Sequence, residues 1–264
     1  MRKLDGKIAV ITGAARGNGE GTARVMARKG ATVVLVDLLP EVHNTATSIA
    51  TGGFKAFSFQ VDISKASEVN GMVGELMERF GRVDILVNNA GVIHLVPLVD
   101  LSDEVRDRMF DINIKGTFIC TKAVLSAMIE RHYGKIVNIS SVTGTKVADE
   151  GETAYAATKA AIWGFTKALA VEVAPHGINV NAVCPGMIGT DMIRQMATET
   201  NPEDPDSVIE RMAKGIPMAR LGKTEELGKL VAFLASDDSR YITGTSIVID
   251  GGSTLPESRV MGAA

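Results

Sequence analysis

Tyr155 and Lys159 lie four residues apart in an alanine-rich segment, residues 154–161, that has the composition of a helix. Residues four apart share one helix face, so the phenol and the ammonium group can converge. A free tyrosine has a pKa near ~10, and a neighbouring cation favours the phenolate and lowers that pKa. The spacing therefore predicts an acid–base tyrosine that can protonate a carbonyl oxygen or deprotonate an alcohol.

A serine pair ends the apolar run just upstream of this helix. Residues 135–142 form a strand-like run that contains Ser140 and Ser141. A serine at the carboxyl end of a strand, beside a crevice, can form a hydrogen bond with a substrate oxygen. Ser141 is the predicted contact, and a turn serine is the alternative interpretation.

A glycine-rich turn, Thr12-Gly13-Ala14-Ala15-Arg16-Gly17-Asn18-Gly19, follows the first strand-like run. Glycines allow a tight turn and a close approach to a pyrophosphate, and the following helix offers free N–H groups to the anion. A lone glycine-rich turn is weak evidence, but this one lies at the first strand–helix junction, where dinucleotide binding requires it.

An acidic residue, Asp37, ends the second strand-like run, about 20 residues after the glycine turn. Its carboxylate can accept hydrogen bonds from the adenosine ribose hydroxyls and would repel a 2′-phosphate. Arg16 in the turn could reach such a phosphate, whereas Leu38 stands where a phosphate site would often carry arginine. The balance predicts NAD(H), with NADP(H) as the less favoured alternative; a cap or turn role is the other interpretation of Asp37.

The elements that must position these residues alternate along the chain. Strand-like runs cover residues 7–12, 31–36, 55–61, 83–87, 135–139, 178–183 and 246–249. Helical patterns cover residues 20–29, 41–51, 66–80, 103–131, 154–174 and 224–236. This alternation predicts an α/β fold, a Rossmann-type doubly wound parallel sheet of about seven strands with helices on both faces. Residues 1–264 would form a single domain, in which the irregular, Met- and Pro-containing segment 186–217 would be a substrate lid.

Composition excludes several other classes of function. The chain has 264 residues, 45% hydrophobic and 22% charged, with a net charge of −3, so neither nucleic acid nor a membrane is an expected partner. Its two cysteines do not make a disulfide framework, and no Cys/His cluster predicts a metal site. With no apolar signal segment after the charged first residues, we expect a cytoplasmic protein.

Taken together, these motifs resemble those of the short-chain dehydrogenase/reductase family, in its compact single-domain branch. The resemblance runs from Gly6 to Gly252 and includes, in order, the glycine turn, Asn88-Asn89-Ala90-Gly91, Asn113, Ser141, Tyr155 with Lys159, and Pro185-Gly186 followed by Thr190. It implies that Asn113, Ser141, Tyr155 and Lys159 are catalytic. It implies cofactor contacts at Gly13, Arg16, Gly17, Asn18, Gly19, Asp37, Leu38, Asp62, Ile63, Asn89, Ala90, Gly91, Tyr155, Lys159, Pro185, Gly186, Ile188 and Thr190.

The resemblance also implies individual roles. Asp62 and Ile63 would line the adenine pocket, and Asn89 would contact the adenosine ribose region. Lys159 would hold the nicotinamide ribose hydroxyls, and Asn113 would keep a water in a proton relay. Ile188 and Thr190 would grip the carboxamide; a capping asparagine is the alternative for Asn113.

Further segments, including residues 142–144, 151–153, 201–205 and 250–257, are similar to a subgroup of the family, the UcpA-type bacterial oxidoreductases. The chain departs from the family at Asn18, where Ile, Leu or Met is usual. It also departs in the acidic stretch around Asp149, Glu150 and Glu152, which would either disfavour anionic substrates or be a solvated loop.

The implied activity is NAD(H)-dependent interconversion of a secondary alcohol, or another small hydroxy compound, and its carbonyl. The alternatives are an NADP(H)-dependent 3-oxoacyl-thioester reductase and, more remotely, a non-catalytic NAD-binding regulatory protein. The substrate wall is predicted from His94, Val142, Thr143, Val147, Met187, Met192 and Met196, although His94 is more simply a loop histidine. By resemblance, the chain would assemble as a homotetramer or homodimer.

Overall fold

The strands form one continuous sheet in the computed structural model, which describes residues 3–256; residues 1–2 and 257–264 of the predicted domain lie outside it. The strands are β1 (Ile8–Thr12), β2 (Thr32–Asp37), β3 (Ala56–Gln60), β4 (Ile85–Asn88), β5 (Gly134–Ile139), β6 (Ile178–Pro185) and β7 (Ser246–Ile249). All are parallel, in the order β3-β2-β1-β4-β5-β6-β7. The predicted doubly wound sheet of seven strands is therefore confirmed.

The central strand β1 is where the strand order reverses. Ile11 pairs with Leu35 of β2 on one side and with Val87 of β4 on the other. Connections from the two halves of the chain leave β1 and β4 in opposite directions, so a crevice opens at their carboxyl ends. The glycine turn follows β1 and residues 88–91 end or follow β4, while Asp37, Ser141 and Pro185 lie at the carboxyl ends of β2, β5 and β6, so these motifs share one edge of the sheet.

Helices cover both faces of the sheet. They are α1 (Gly17–Arg28), α2 (Val42–Thr51), α3 (Ala66–Phe80), α4 (Asp103–Phe110), α5 (Gly116–Glu130), α6 (Thr153–Val173), α7 (Asp191–Thr200), α8 (Pro205–Lys214) and α9 (Thr224–Leu234). Apolar residues of α1, α2 and α9 pack in one core layer, and those of α3, α5 and α6 pack in the other. The central strands β1, β2 and β4 are buried on both faces and are therefore nearly continuous apolar runs, whereas the edge strand β3 alternates with Ser58 and Gln60.

The predicted helix over residues 103–131 is present as one unbroken helical stretch, residues 103–130. A π-helical turn, Asp111–Lys115, joins α4 to α5 within it and contains Asn113. The sequence pattern did not indicate this turn; such turns often lie at functional sites. By length and composition residues 103–130 could cross a membrane, but Met109, Cys120 and Met128 are packed in the core of the sheet protein.

The segment 186–217 is helical where the sequence predicted irregular chain. It contains α7 and α8, joined by residues 201–204. Pro205 begins α8, and Asp204 caps it by accepting a hydrogen bond from the N–H of Ser207 at 3.1 Å. Proline and the Asp cap were thus signals of a helix start. We call residues 190–214, which lie within the predicted lid 186–217, the lid segment below; their role as a lid stays a prediction.

Candidate active site

The glycine turn is closed against the end of β4. Gly13 has φ of +64°, and a Cβ there would lie 2.7 Å from the Cα of Ala90. A Cβ on Gly19 would collide with the carbonyl oxygen of Gly13. Only glycine satisfies both contacts, so the turn brings free N–H groups of α1 to the carboxyl ends of β1 and β4.

The side chains of Asn89 and Thr12 hold this turn in place by hydrogen bonds. The Asn89 side-chain amide donates hydrogen bonds to the carbonyl oxygens of Thr12 (2.9 Å) and Gly13 (3.0 Å). The Thr12 hydroxyl oxygen accepts from the N–H groups of Asn89 (3.0 Å) and Ala90 (3.1 Å). Asn89 therefore holds the shape of the turn through its side chain, and its predicted contact with the adenosine ribose region stays a prediction.

Asp37 ends β2 and faces the start of the same turn. One carboxylate oxygen accepts a hydrogen bond from the N–H of Ala15 at 2.9 Å, and the other accepts from Leu39 at 3.0 Å. A carboxylate has about four lone-pair sites, so both oxygens can still accept from a diol. Leu38 is 48% exposed beside it. The guanidinium group of Arg16 lies 4.0 Å from the Asp191 carboxylate, in the direction of the lid segment.

The predicted adenine-pocket residues differ in exposure. Ile63 is buried, and a Cβ on Gly116 would lie 2.6 Å from its terminal methyl group, so the side chain packs against α5. Asp62 is partly exposed, and its carboxylate accepts hydrogen bonds from the Ser64 N–H (3.0 Å) and hydroxyl (2.7 Å). Only Asp62 therefore offers a side chain to the surface, and Ile63 could contact a ligand mainly through its backbone.

Tyr155 lies in the first turn of α6, facing the end of β5. Burial raises the pKa of Tyr155 to about 12, although a hydrogen bond with Ser141 acts to lower it. Ser141 is itself fixed, because its hydroxyl oxygen accepts from the Thr143 N–H at 3.1 Å. The structure thus brings the predicted serine and tyrosine hydroxyls together at one point.

The side chain of Lys159 lies close to the Tyr155 ring. Its ammonium nitrogen donates to the carbonyl oxygen of Ile139 at 3.0 Å and lies 5.6 Å from the Tyr155 ring centroid. Burial lowers the pKa of Lys159 to about 8. Desolvation by burial therefore sets the direction of the pKa shift of both groups in the chain by itself, and the predicted lowering of the Tyr155 pKa by this cation stays a prediction.

Gly91 is the junction between Lys159 and Asn113. A Cβ on Gly91 would lie 3.2 Å from the Asn113 side-chain oxygen and 3.4 Å from the Lys159 ammonium nitrogen. The missing side chain lets the loop after β4 pass directly over both polar groups. Two residues from different helices are thereby brought to one edge of the crevice.

Asn113 is 1% exposed and holds three elements together. Its oxygen accepts from the Val92 N–H at 2.8 Å, and its amide donates to the Val92 carbonyl and to the Thr158 hydroxyl, both at 3.0 Å. Thr158 in turn donates to the carbonyl oxygen of Tyr155 at 2.7 Å. The side chain of Asn113 is therefore occupied by structural hydrogen bonds. Only its main-chain groups are left for the predicted contact with a relay water.

Thr158 was not predicted as a site residue. Its hydroxyl joins Asn113 of the π-helical turn to the helical turn of α6 that carries Tyr155. A threonine three residues after Tyr155, on a helix predicted to be buried, was the available signal, but nothing local indicates its partner in residue 113. Contacts between residues 45 positions apart are decided by how α6 packs against the π-helical turn.

After β6 the chain crosses the other end of the crevice. Pro185 is the last strand residue, and a Cβ on Gly186 would lie 2.7 Å from the Cβ of Asp250. Ile188 is 5% exposed and forms a β-bridge with Gly222. Thr190 precedes α7, and its methyl group would lie 3.5 Å from a Cβ on Gly17. The predicted carboxamide-binding loop therefore contacts the glycine turn.

The predicted substrate wall is only partly assembled. Val142 and Thr143 are buried, and Thr143 forms a β-bridge with Val147. His94 and Met192 are exposed, and Met196 is partly exposed on α7. Met187 lines a cavity of about 260 Å³ with Val208, Arg211, Met212, Gly215, Ile216 and Ser253. Val208, Arg211 and Met212 of this lining lie on α8, which the sequence did not predict.

Within residues 3–256 no group of three or more His, Cys, Asp or Glu side chains could hold a metal ion. Cys120 and Cys184 are both buried and not joined to each other.

Comparisons with known proteins cover nearly the whole chain. A family model described as enoyl-(acyl carrier protein) reductase matches residues 13–254. Oxidoreductase UcpA of Escherichia coli K12 is 54% identical over 262 residues, 99% of this chain and 100% of that protein. The 3-oxoacyl-[acyl-carrier-protein] reductase FabG of Thermotoga maritima is 39% identical over 254 residues, 96% of this chain and 100% of that protein. The crystal structure of levodione reductase has a TM-score of 0.91 at 32% identity, with 95% and 98% of the two chains covered.

Proposed function

This chain belongs to the short-chain dehydrogenase/reductase family, and on that premise we propose that it uses NAD(H) to interconvert a secondary alcohol, or another small hydroxy compound, and its carbonyl. The predicted resemblance to the family and to its UcpA-type members is confirmed. The family consists of oxidoreductases that act on CH–OH and C=O groups with a nicotinamide cofactor. The identity of that cofactor and the roles of the residues are the proposal.

The residues of the crevice fit a dinucleotide. The glycine turn is a cradle that a Cβ on Gly13 or Gly19 would fill, and its helix N-terminus suits a pyrophosphate. Asp37, with one carboxylate oxygen bonded to Ala15 of the turn and the other to Leu39, would hold the adenosine ribose hydroxyls. A negative charge there disfavours a 2′-phosphate, and this single observation carries the assignment to NAD(H).

Ser141 and Tyr155 would hold the substrate oxygen. The Tyr155 phenol is protonated at neutral pH, because burial holds its pKa at about 12. It is therefore ready to donate a proton to a carbonyl oxygen, while Ser141 donates a second hydrogen bond to the same atom. When bound, the nicotinamide supplies or accepts the hydride.

Lys159 would restore the proton to Tyr155 and hold ribose hydroxyls. With a pKa of about 8 it is mostly cationic at neutral pH yet gives up a proton readily. A positive charge beside the phenol stabilises the phenolate that remains after proton donation. Asn113 would fix the relay by holding the loop after β4 and the Tyr155 turn in place.

The second candidate is an NADP(H)-dependent 3-oxoacyl-thioester reductase. It is favoured by the similarity to FabG and by the acyl carrier protein named for the family model. It is disfavoured by Asp37. We further propose, by resemblance, that the protein works in the cytoplasm as a homotetramer or homodimer.

Calorimetry with NADH and NADPH separates the two candidates. We expect the wild-type chain to bind NADH at least about tenfold more tightly, the equivalent of ~1.4 kcal/mol. Asp37→Ser should remove most of that preference, and Asp5→Ser, far from the crevice in sequence, should leave it intact. Oxidation of a panel of secondary alcohols with NAD⁺ then identifies the substrate class. Tighter binding of NADPH by the wild type would refute the NAD(H) assignment.

A further inference from the structure

Arg211 is a cation of α8 for which the described residues supply no partner of opposite charge. The two acidic residues of the same helix are occupied elsewhere. Asp206 pairs with Arg194 of α7. The Glu210 carboxylate lies 4.0 Å from the Lys214 ammonium nitrogen. Arg211 is exposed and therefore accessible to a ligand. A guanidinium group has five N–H donors in a planar fork that fits a carboxylate, so this helix presents one anion-binding group that the described chain leaves unused.

Arg211 also lines the cavity of about 260 Å³ beneath the lid segment. It is the one charged side chain of that lining within the residues that the structure describes. Most of the other lining side chains are apolar, namely Met187, Val208, Met212 and Ile216. An apolar site with one well-placed polar group is the usual design for holding a small molecule in a fixed orientation. The cavity therefore suits an apolar chain that ends in an anion.

The loop after β7 provides another wall of the cavity through Ser253. The Ser253 hydroxyl donates to the Asp250 carboxylate at 3.2 Å. That carboxylate also accepts from the N–H groups of Gly252 and Thr254, both at 2.9 Å. The charge of Asp250 is therefore stabilised by donors of its own loop, and Asp250 forms no ion pair with Arg211 among the described residues.

Met187 joins this cavity to the reacting groups. The Pro185 carbonyl oxygen accepts a hydrogen bond from the N–H of Val142 at 3.1 Å, and Val142 follows Ser141 directly. Neighbouring strands lie about 5 Å apart, and two residues of extended chain span at most about 7 Å. The backbone of Met187 is therefore within about 12 Å of that of Val142. A chain of eight carbons, with bonds of ~1.5 Å, covers most of this distance.

The acidic stretch before α6 lies toward the opposite side of the crevice. The Gly151 carbonyl oxygen accepts from the Val96 N–H at 3.0 Å, so the loop with Glu150 and Glu152 packs against the chain that follows β4. In the sheet order β4 and β6 flank β5, and Ser141 follows β5. A negative charge on the substrate is thus disfavoured on the β4 side and favoured on the side of α8.

We propose that the substrate is a hydroxy or oxo carboxylate whose carboxylate pairs with Arg211, while an apolar spacer of several carbons fills the cavity. This inference names the substrate class of the proposed alcohol–carbonyl interconversion and rests on it. In the reduction, hydride from the nicotinamide and a proton from Tyr155 add to the carbonyl group at the far end of the spacer. The carboxylate itself does not react, so Arg211 determines specificity and takes no part in the chemistry.

Calorimetric titration with octanoate tests the site without turnover, because octanoate has the anion and the apolar chain but no ketone. The wild type should bind octanoate saturably. Arg211→Gln should weaken that binding about ten- to hundredfold, the usual contribution of hydrogen bonds to a charged group. Both proteins should bind 1-octanol equally. Lys214→Gln makes the same change of charge at an exposed residue of the same helix that does not line the cavity, and it should bind octanoate like the wild type.

Reduction of 7-oxooctanoate and 2-octanone with NADH shows whether the site serves the reaction. The two ketones have the same carbon chain and differ in the carboxylate. Arg211→Gln should lower kcat/KM for 7-oxooctanoate about ten- to hundredfold, mainly by raising KM, and should change that for 2-octanone less than about twofold. Lys214→Gln should leave both values unchanged.

The proposal is overturned if the wild type shows no saturable octanoate binding, or if Arg211→Gln loses affinity equally for octanoate and 1-octanol. Equal losses in Arg211→Gln and Lys214→Gln, or no preference of the wild type for 7-oxooctanoate over 2-octanone, would also overturn it. Arg211→Lys keeps the charge without the planar fork and should retain part of the octanoate affinity. Because the titration needs neither NADH nor turnover, a preference for NADPH would refute the NAD(H) assignment and leave the role of Arg211 standing.

Discussion

The reacting groups and the lid segment are built by opposite means. Around Lys159 the hydrogen bonds join distant elements: the Ser140 hydroxyl donates to the Lys159 carbonyl at 2.7 Å, and the Lys159 ammonium group donates to Ile139. In the lid segment, Thr198 and Thr200 donate to carbonyl oxygens four residues earlier, within α7. The first set of bonds specifies positions across the fold, whereas the two threonine bonds specify only a helix, and α7 is joined to α8 by an exposed ion pair between Arg194 and Asp206.

This difference separates reaction class from substrate. Buried groups held by several long-range hydrogen bonds keep a fixed geometry, which hydride and proton transfer require. The lid segment is mostly exposed and presents Met192, Met196 and Met212, whose side chains adapt to different shapes. We therefore expect the reaction type to depend on the buried groups around Lys159 and the substrate range to depend on the exposed lid segment.

The largest effect on turnover is expected for a substitution of Tyr155. Tyr155→Phe removes the proton donor but keeps the ring, so turnover should fall about 10²- to 10⁴-fold. NADH affinity, measured by calorimetry, should stay within a few-fold of wild type. Tyr241→Phe is the matched control, because Tyr241 is fully exposed, and it should turn over normally. Substantial activity in Tyr155→Phe would assign the proton to another group.

The pH dependence of kcat/KM tests whether burial lowers the pKa of Lys159. Its pKa is lowered to about 8, and the relay needs its protonated form, so activity is present below pH 8 and lost as the pH rises through that value. For carbonyl reduction, kcat/KM should fall roughly tenfold per unit above pH ~8.5. Lys167 is an exposed lysine of the same helix, and Lys167→Met should show the same fall of kcat/KM at high pH. A flat profile to pH 10 would contradict the assignment.

Two threonine variants, one near Tyr155 and one in the lid segment, are expected to give the smallest effects, which are on the free energy of unfolding. Thr158→Val leaves Asn113 and the Tyr155 carbonyl each short of a partner, so the free energy of unfolding should fall by about 1–3 kcal/mol. Thr198→Val in α7 removes an exposed local hydrogen bond and should change it by under ~0.5 kcal/mol. Urea unfolding measures both, and equal losses would mean that the lid segment is as firmly specified as the site.

Several elements were predictable because their signals are local. Buried strands appear as β-branched runs, and the order of glycine turn, Asp37, Ser141 and Tyr155 along the chain follows the strand ends. The helices α7 and α8 were missed although they are strongly amphipathic and α8 has a proline and an aspartate cap at its start. The methionine, threonine and proline content of the segment favoured an irregular chain instead, and the π-helical turn inside the predicted helix 103–131 has no local signal.

The sequence by itself determined the sheet, the place of the crevice and the residues that surround it, because strand patterns and carboxyl-end motifs depend on neighbours in the chain. Only the tertiary structure decided how those residues behave. It raised the pKa of Tyr155 and lowered that of Lys159 by burying both, it tied Asn113 to Thr158, and it left the Asn18 oxygen without a donor. Desolvation and long-range hydrogen bonding depend on which helices close over a residue, and no local pattern contains that information.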